Sequence, residues 1–344
     1  MNKDSVFKYK GISYDVGTNY VKEGASREIW EIEYVRYDID VIKNKLNCNS
    51  ILIYGTDLTR LTECSEIALS QGLLVWVQPR LVDGNKDELI TYMEKAAIKF
   101  EALREKYSQL ILVIGCELSI FANGVYPGKN FMHRTIALSV LWVISPYFNW
   151  RLNMLLKRLL LTTKTNFKGE ISYGAGDWEA IDWRIFDIIG INHYMDQINR
   201  LSYRDKLRNL KKYNKPIVVT EFGCCCFDGA EKKGGGGFQV IDWKKNPPEI
   251  KGNHIRNEQV QADYIANLIS VFKEEKIAGA FVFTYAEASN MFNKNPKFDL
   301  DMASYSLVVT TGEDLEGSPV SGKLIKKMAF DTLAKIYDEM QTKT

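Results

Sequence analysis

The sequence predicts an α/β fold, a (β/α)8 (TIM) barrel with insertions after the fourth and seventh strands. Three observations carry that expectation. Six short segments are apolar on both parities, the pattern of strands covered on both faces and hence of a parallel sheet. Two further strands complete a count of eight, each with a helical or turn segment behind it. The first strand is followed by Asp15-Val16-Gly17-Thr18-Asn19, not by the glycine-rich phosphate turn that a doubly wound sheet usually carries.

In chain order, Gly11 to Asp15 opens the barrel. Ile32, Val35, Ile39, Ile42 and Leu46 then repeat at helical spacing. Ile51 to Tyr54 and Leu73 to Val77 are the second and third strands. Leu89, Met93, Ala96, Phe100 and Leu103 mark the helix that follows. Leu110 to Ile114 is the fourth strand, Glu170 to Tyr173 the fifth, Ile188 to Ile191 the sixth and Ile217 to Val219 the seventh. Leu207 and Leu210 belong to a helix between the last two. Ile265, Leu268 and Phe272 precede the eighth strand, Ala278 to Phe283, and Ala329, Leu333 and Ile336 close the chain as a helix.

Two connections are long. The one after the fourth strand holds the apolar segment Thr135 to Leu161. The one after the seventh holds Gly234 to Gly237, Asp242-Trp243 and Pro247-Pro248. The most hydrophobic stretch, Ile136 to Phe148, is shorter than the roughly 20 residues of a spanning helix and is interrupted by Pro146. It reads as a buried or lid helix rather than a membrane contact. The glycine run reads equally as a mobile hinge or a loose surface loop. No repeat or linker divides the chain, so residues 1–344 read as one barrel domain.

Composition narrows the function classes. An apolar fraction of 46% and a charged fraction of 26% suit a globular chain with a large core and exclude disorder as its overall state. Lysine plus arginine (45) nearly balances aspartate plus glutamate (43), which gives no electrostatic reason to expect nucleic acid. Six cysteines, three of them consecutive at Cys224 to Cys226, do not make a disulfide scaffold, and they point to a reducing compartment. With no apolar stretch in Met1 to Lys10 to act as a secretory signal, the expected location is the cytoplasm.

Barrel chemistry sits where strands end and βα loops begin. The first strand delivers Asp15 there and the second Tyr54. Arg80 follows the third strand, and Gln78 lies just before it. Glu117 follows the fourth, and Asp177 and Trp178 the fifth. The sixth brings Asn192, His193 and Tyr194, the seventh Glu221, and the eighth Tyr285 and Glu287. Glu117 and Glu221 stand out because each closes a buried apolar strand, where an unpaired carboxylate is expensive to desolvate. Two such groups facing one cavity can hydrolyse a glycoside: one donates a proton to the leaving oxygen, the other attacks or stabilises the anomeric carbon. Tyr194, on the strand beside that of Glu221, is placed to donate to its carboxylate and hold it ionised. Asp15, Tyr54, Arg80, Asp177, Trp178, Asn192, His193, Tyr285 and Glu287 are candidate substrate contacts. Trp178 and Trp243, in loops, are candidate sugar platforms; Trp76, within a strand, reads as core.

This arrangement resembles the large clan of retaining (β/α)8 glycoside hydrolases with glutamates at the ends of strands four and seven. The resemblance implies that Glu117 is the acid/base, that Glu221 in Val-Val-Thr-Glu-Phe-Gly is the nucleophile, and that Tyr194 in Gly-Ile-Asn-His-Tyr is the aromatic orienting it. The sequence departs from the clan at three points. Cys116 stands where the clan has an asparagine that bonds the sugar 2-hydroxyl. No arginine ends the second strand, and Tyr285 stands for the strand-eight tryptophan. These departures argue against an ordinary cellulase or mannanase. A narrower resemblance runs through Gly115 to Phe121, Pro127-Gly128, Glu221 to Cys225, Gly229-Ala230 and Asp299 to Ala303. It points to bacterial barrel proteins, some labelled abortive-infection proteins, and so implies phage defence.

Three histidines far apart, no HExxH and no paired CxxC give no metal site, and no cofactor is expected. Cys224 to Cys226 read as small buried apolar residues. Three functions follow: a retaining glycoside hydrolase acting on a carbohydrate, a non-catalytic sugar- or ligand-binding barrel, and a defence protein whose Thr135 to Leu161 insertion recognises a partner.

Overall fold

The computed structural model describes residues 7–20, 24–311 and 324–341. Eight parallel strands close on themselves. They are β1 (Tyr9–Asp15), β2 (Ser50–Gly55), β3 (Leu74–Pro79), β4 (Leu110–Cys116), β5 (Ile171–Gly176), β6 (Ile189–Asn192), β7 (Ile217–Phe222) and β8 (Gly279–Val282). Each pairs with its neighbour in sequence, and β8 closes the ring on β1 with Tyr9 opposite Gly279. The protein is the (β/α)8 barrel that the alternation predicts.

Successive strand side chains point to opposite faces, so the sheet serves two cores. Tyr9, Leu52, Tyr54, Trp76, Ile111, Val113, Ile188, Val218 and Phe281 fill the barrel. The Trp76 ring is fully buried, with the centroids of Tyr9 and Phe281 5.1 and 5.3 Å away. Gly11 makes room for Phe281, since a Cβ there would lie 2.2 Å from a ring carbon. The opposite parity, including Ile12, Ile51, Val75 and Leu112, packs under the helices.

The helices are α1 (Ile32–Asn44), α2 (Leu58–Ser70), α3 (Lys86–Tyr107), α4 (Leu118–Phe121), α5 (Phe131–Val140), α6 (Ser145–Asn166), α7 (Tyr203–Leu210), α8 (Glu258–Glu274) and α9 (Met328–Gln341). Their starts are written locally. Asp57 accepts from the Thr59 and Arg60 amides to cap α2, and Asn85 with Glu88 forms a capping box on α3. Behind β5 a single 3-10 turn, Trp183–Ile185, takes the place of a helix, and Trp183 and Phe186 are buried there.

Three expectations about the long connections are corrected. The segment from Ser145 onward is not inserted: α6 is the barrel helix after β4 and packs on α3. The added part is α4, α5 and the 3-10 turn Trp142–Ile144. Ile136 to Phe148 is not a buried or lid helix either. It runs from α5 through that turn into α6 and buries Phe148, while Ile136, Val140, Trp142, Val143 and Tyr147 face outward. Among the described residues no helix is long and apolar enough to cross a membrane. The glycine run is neither hinge nor loose loop. It lies in a 3-10 run, Gly234–Val240, where a Cβ at Gly237 would meet the Cys225 sulfur at 2.7 Å and one at Gly235 would press on the Tyr194 ring at 3.3 Å.

Candidate active site

Glu117 is held by its backbone before its side chain is considered. It leaves β4 in the left-handed region, φ 45°, which disfavours residues with a Cβ by roughly 1–2 kcal/mol. Neighbouring groups fix that turn. The Glu117 amide donates to the Gly174 carbonyl at 2.9 Å. The Leu118 amide donates to the Tyr173 hydroxyl at 2.7 Å and the Ser119 amide to Glu179 Oε1 at 2.9 Å. Tyr173 in turn donates to Glu179 Oε2 at 2.9 Å. The end of β5 therefore clamps the first amides of α4, and the Glu117 side chain is aimed from a rigid corner.

Glu221 lies on β7 with Asn192 of β6 as its sheet partner, so the ends of β6 and β7 arrive together. The Tyr194 hydroxyl donates to Glu221 Oε1 at 2.9 Å. Arg80 Nη2 lies 3.3 Å from Oε2. Two other nitrogens of Arg80 are also bonded: Nε donates to Gln78 Oε1 at 2.8 Å and Nη1 to the Tyr20 hydroxyl at 3.1 Å. Its guanidinium sits 3.9 Å from the centroid of the Tyr54 ring. Glu117 has a neutral partner instead. Asn192 Nδ2 donates to Glu117 Oε1 at 3.0 Å and lies 3.3 Å from the Cys116 sulfur, while Asn192 Oδ1 accepts from Thr220 at 2.9 Å.

The electrostatics differ accordingly. Burial, and then the charge of Glu221, push the Glu117 carboxyl up to about 8. Burial also raises Glu221, but the Arg80 charge and the Tyr194 and Arg80 hydrogen bonds oppose that rise. A cation and a phenol favour the charged form of Glu221, whereas Glu117 has one amide and a like charge beside it. The pair's shared proton therefore belongs on Glu117.

The other candidates divide. Arg80, Asn192 and Tyr194 meet the two carboxylates. Tyr54 lies beneath Arg80 as the last aromatic of the barrel interior. Trp178 is 39% exposed on the β5 loop, its indole N–H donating to Ser119 Oγ at 2.9 Å, beside the α4 corner. Glu287 is spent on structure: it accepts from the Tyr305 amide and from Asn290, each at 2.6 Å.

Four expected substrate contacts are turned elsewhere. Asp15 accepts from the Gly17 amide and Ser26 and closes its own turn. His193 points outward from the barrel. It is buried against Tyr203 with ring centroids 3.8 Å apart, its Nδ1 2.8 Å from Asp177 and its Nε2 3.0 Å from the Tyr203 carbonyl. His193 and Asp177 thus tie the β5 and β6 loops to α7. Tyr285 is fully buried against Tyr14 and offers no sugar platform. The half-exposed aromatic after β8 is Phe283, stacked on Tyr54 with centroids 5.8 Å apart. Tyr305 packs edge-on to both Phe283 and Tyr194 at 5.8 Å.

Phe283, Tyr305 and Tyr20 were not among the sequence candidates. Phe283 closes the apolar run Ala278 to Phe283 that reads as the eighth strand. Tyr20 and Tyr305 sit in loops, Tyr305 just past the Asp299 to Ala303 segment. Trp243, the other proposed platform, is exposed beside the two-stranded ribbon Ile241–Asp242 and Glu249–Ile250. Cys224 to Cys226 are buried free thiols, as small core residues should be.

No family model and no curated protein matches the sequence. Solved structures do match in fold. One is a GH113 β-1,4-mannanase in a complex, with TM-score 0.58 and 14% identity over 96% of this chain and 98% of that one. A GH113 β-mannanase from Alicyclobacillus acidocaldarius, in complex with ManMIm, gives TM-score 0.59 and 11% identity over 97% and 99% of the two chains. A β-glucuronidase from an uncultured Clostridium species gives 0.55 and 14%, over 97% of this chain and 50% of that one. At these identities the likeness is one of fold, the (β/α)8 barrel.

Proposed function

We propose that the protein is a retaining glycoside hydrolase that cleaves a β-glycosidic bond by double displacement. The observation that carries this reading is the asymmetry of the Glu117–Glu221 pair, with a cation and a phenol on Glu221 and an amide on Glu117. In the first step a Glu221 oxygen attacks the anomeric carbon while Glu117 gives its proton to the departing glycosidic oxygen. The aglycone leaves as an alcohol and the sugar remains as an ester on Glu221. In the second step Glu117, now a carboxylate, takes a proton from water as that water attacks the same carbon and releases Glu221. Trp178 and Phe283 offer apolar ring faces on which a pyranose can rest. The fold shared with β-mannanases and a β-glucuronidase supports a β-linked substrate.

The test is a panel of aryl β-glycosides with Glu221→Ala as the control, and NMR of the first-formed sugar. Turnover that Glu221→Ala abolishes, giving the β-anomer first, is the expected result. An α-anomer as first product, or equal activity in the variant, removes the retaining mechanism. Sugar binding without turnover leaves the non-catalytic barrel in its place.

A further inference from the structure

The chain between Glu117 and Glu170 differs from the rest in charge and in surface. One residue in eight of the whole sequence is acidic, yet none of the 43 acidic residues lies in this stretch. Lys129, Arg151, Lys157, Arg158, Lys164 and Lys168 do. Its outer surface is apolar. On α5, Met132, Ile136 and Val140 recur every fourth residue and are 58, 61 and 68% exposed. The turn adds Trp142, Val143 and Ile144. Along α6, Tyr147, Trp150 and Met154 continue the strip, again at helical spacing and all exposed.

The face is held rigidly. Arg134, the one fully buried base of the stretch, turns inward and donates to the Ile120 and Gly128 carbonyls and to Asn123, which pins α5 to the barrel. A contiguous apolar surface of this kind is uncommon on a protein that meets only water.

We propose that α5, the Trp142–Ile144 turn and the outer face of α6 form a docking surface for an anionic lipid bilayer. Tryptophan and tyrosine favour the bilayer interface, where an apolar ring and a polar edge are both accommodated. The flanking Lys157 and Arg158 are exposed and can reach lipid phosphates while their stems lie on apolar surface. The charge of the segment itself, basic with no acid of its own, chooses the occupant, Asp182 of the β5 loop being an acid near Lys157. A second copy related by two-fold symmetry would bring like-charged flanks together, whereas an anionic headgroup layer complements them. Helices lying in the interface plane need not be long enough to span.

The location links docking to the barrel mouth. Barrel helices run back from the C-terminal ends of the strands, so α6 begins at that end, and the Trp142 turn sits on the same rim as Glu117. Asn149 Oδ1 accepts from the Ala180 amide at 2.9 Å, joining α6 between Tyr147 and Trp150 to the loop that carries Trp178.

The experiment is vesicle flotation of the full chain with phosphatidylcholine alone and with phosphatidylcholine–phosphatidylglycerol mixtures, at low and high salt. The protein should float with the mixed vesicles, partition to neutral ones at least about tenfold less, and be released by salt. Replacing Trp142 and Trp150 together by serine should lower partitioning at least about tenfold. Lys157→Glu with Arg158→Glu should remove the preference for the anionic lipid. All four positions are exposed, so the thermal unfolding of both double variants should match the parent. Failure to float with mixed vesicles overturns the proposal, as does flotation that neither double variant alters. Sedimentation as a dimer that the tryptophan variant dissociates overturns it in favour of a second copy.

Discussion

The guanidinium of Arg80, carried in from the end of β3, lies 3.3 Å from the carboxylate of Glu221 on β7. Both side chains are shielded from water, so the contact is weakly screened and has a large influence on which form of Glu221 exists. Its geometry is over-determined, since Gln78, Tyr20 and Tyr54 hold the same guanidinium from three other sides. A nucleophilic carboxylate in a buried mouth needs such a partner. Under the proposed mechanism Arg80, at the end of the third strand, is that partner.

Arg80→Met tests that dependence. Removing the cation leaves burial unopposed on one side of Glu221 and raises its pKa further. The ionised nucleophile then forms only at higher pH, so the acidic limb of the kcat/KM profile should move upward. At the pH optimum kcat/KM should fall on the order of a hundredfold, the scale for losing one preorganised electrostatic partner. An unshifted acidic limb would show that Tyr194 alone keeps Glu221 charged.

The roles of the two glutamates are separable by leaving group. Glu117→Ala should keep activity on aryl glycosides whose phenols leave without protonation, and azide should accelerate it by attacking the glycosyl-enzyme. Glu221→Ala should lose activity on every substrate. Glu117 is pushed up to about 8, so it is protonated at neutral pH and loses its proton above that value. Parental activity should therefore decline on the alkaline side near there, and Glu117→Ala should lack that decline on activated substrates. Equal loss in both variants without azide rescue would reverse or remove the assignment.

How much of this was legible beforehand follows from which forces are local. Six of the eight strands could be found because each is a short run apolar on both faces, and β1 and β5 completed the count of strands alternating with helical or turn segments. The glutamates could be found because they interrupt such runs at the right end. Side-chain direction past a strand end could not be read. Val282 ends β8, and the chain turns so that Phe283 faces the mouth while Tyr285 is buried against Tyr14. His193 likewise follows β6 directly but points outward, because Tyr203 of α7 offers it a ring to stack on and a carbonyl to bond. Apolarity alone did not tell inside from outside at Ile136 to Phe148. The stretch is as hydrophobic as a core helix, yet most of it faces away from the barrel.

Glu117 should also be a burden on the fold. The Glu117 carboxyl rises from an ordinary 4.5 to about 8 in the folded chain, so the native state holds a proton that the unfolded state releases in between. Its contribution to stability is then fully present below about 4.5 and lost as pH rises through about 8. A glutamine has no such dependence. Glu117→Gln should unfold at a higher temperature than the parent, with a gain that grows from pH 5 toward pH 8 and then levels. A gain that is constant over that range would mean that Glu117 is not held protonated.

Cys116 is where the chain departs from the clan most sharply, and the structure shows what stands nearby. Its sulfur is buried 3.3 Å from the Asn192 amide, which also donates to Glu117. A thiol is a weak donor, so Cys116 cannot make the strong contact to a sugar 2-hydroxyl that tightens in the transition state. Asn192, whose amide lies beside both Cys116 and Glu117, is the amide we expect to supply it. Two variants separate the possibilities. Asn192→Ala should lower kcat/KM for 2-hydroxy glycosides more than for 2-deoxy ones, because the contact it removes exists only with the first. Cys116→Asn adds a second amide beside the acid/base, and should raise the ratio of kcat/KM for 2-hydroxy over 2-deoxy substrates by about tenfold, the effect of one improved hydrogen bond of about 1.4 kcal/mol. If the ratio is unchanged in both folded variants, neither Cys116 nor Asn192 faces the sugar's second carbon. The 2-hydroxyl must then be read from elsewhere on the rim, with Arg80 the remaining donor at hand.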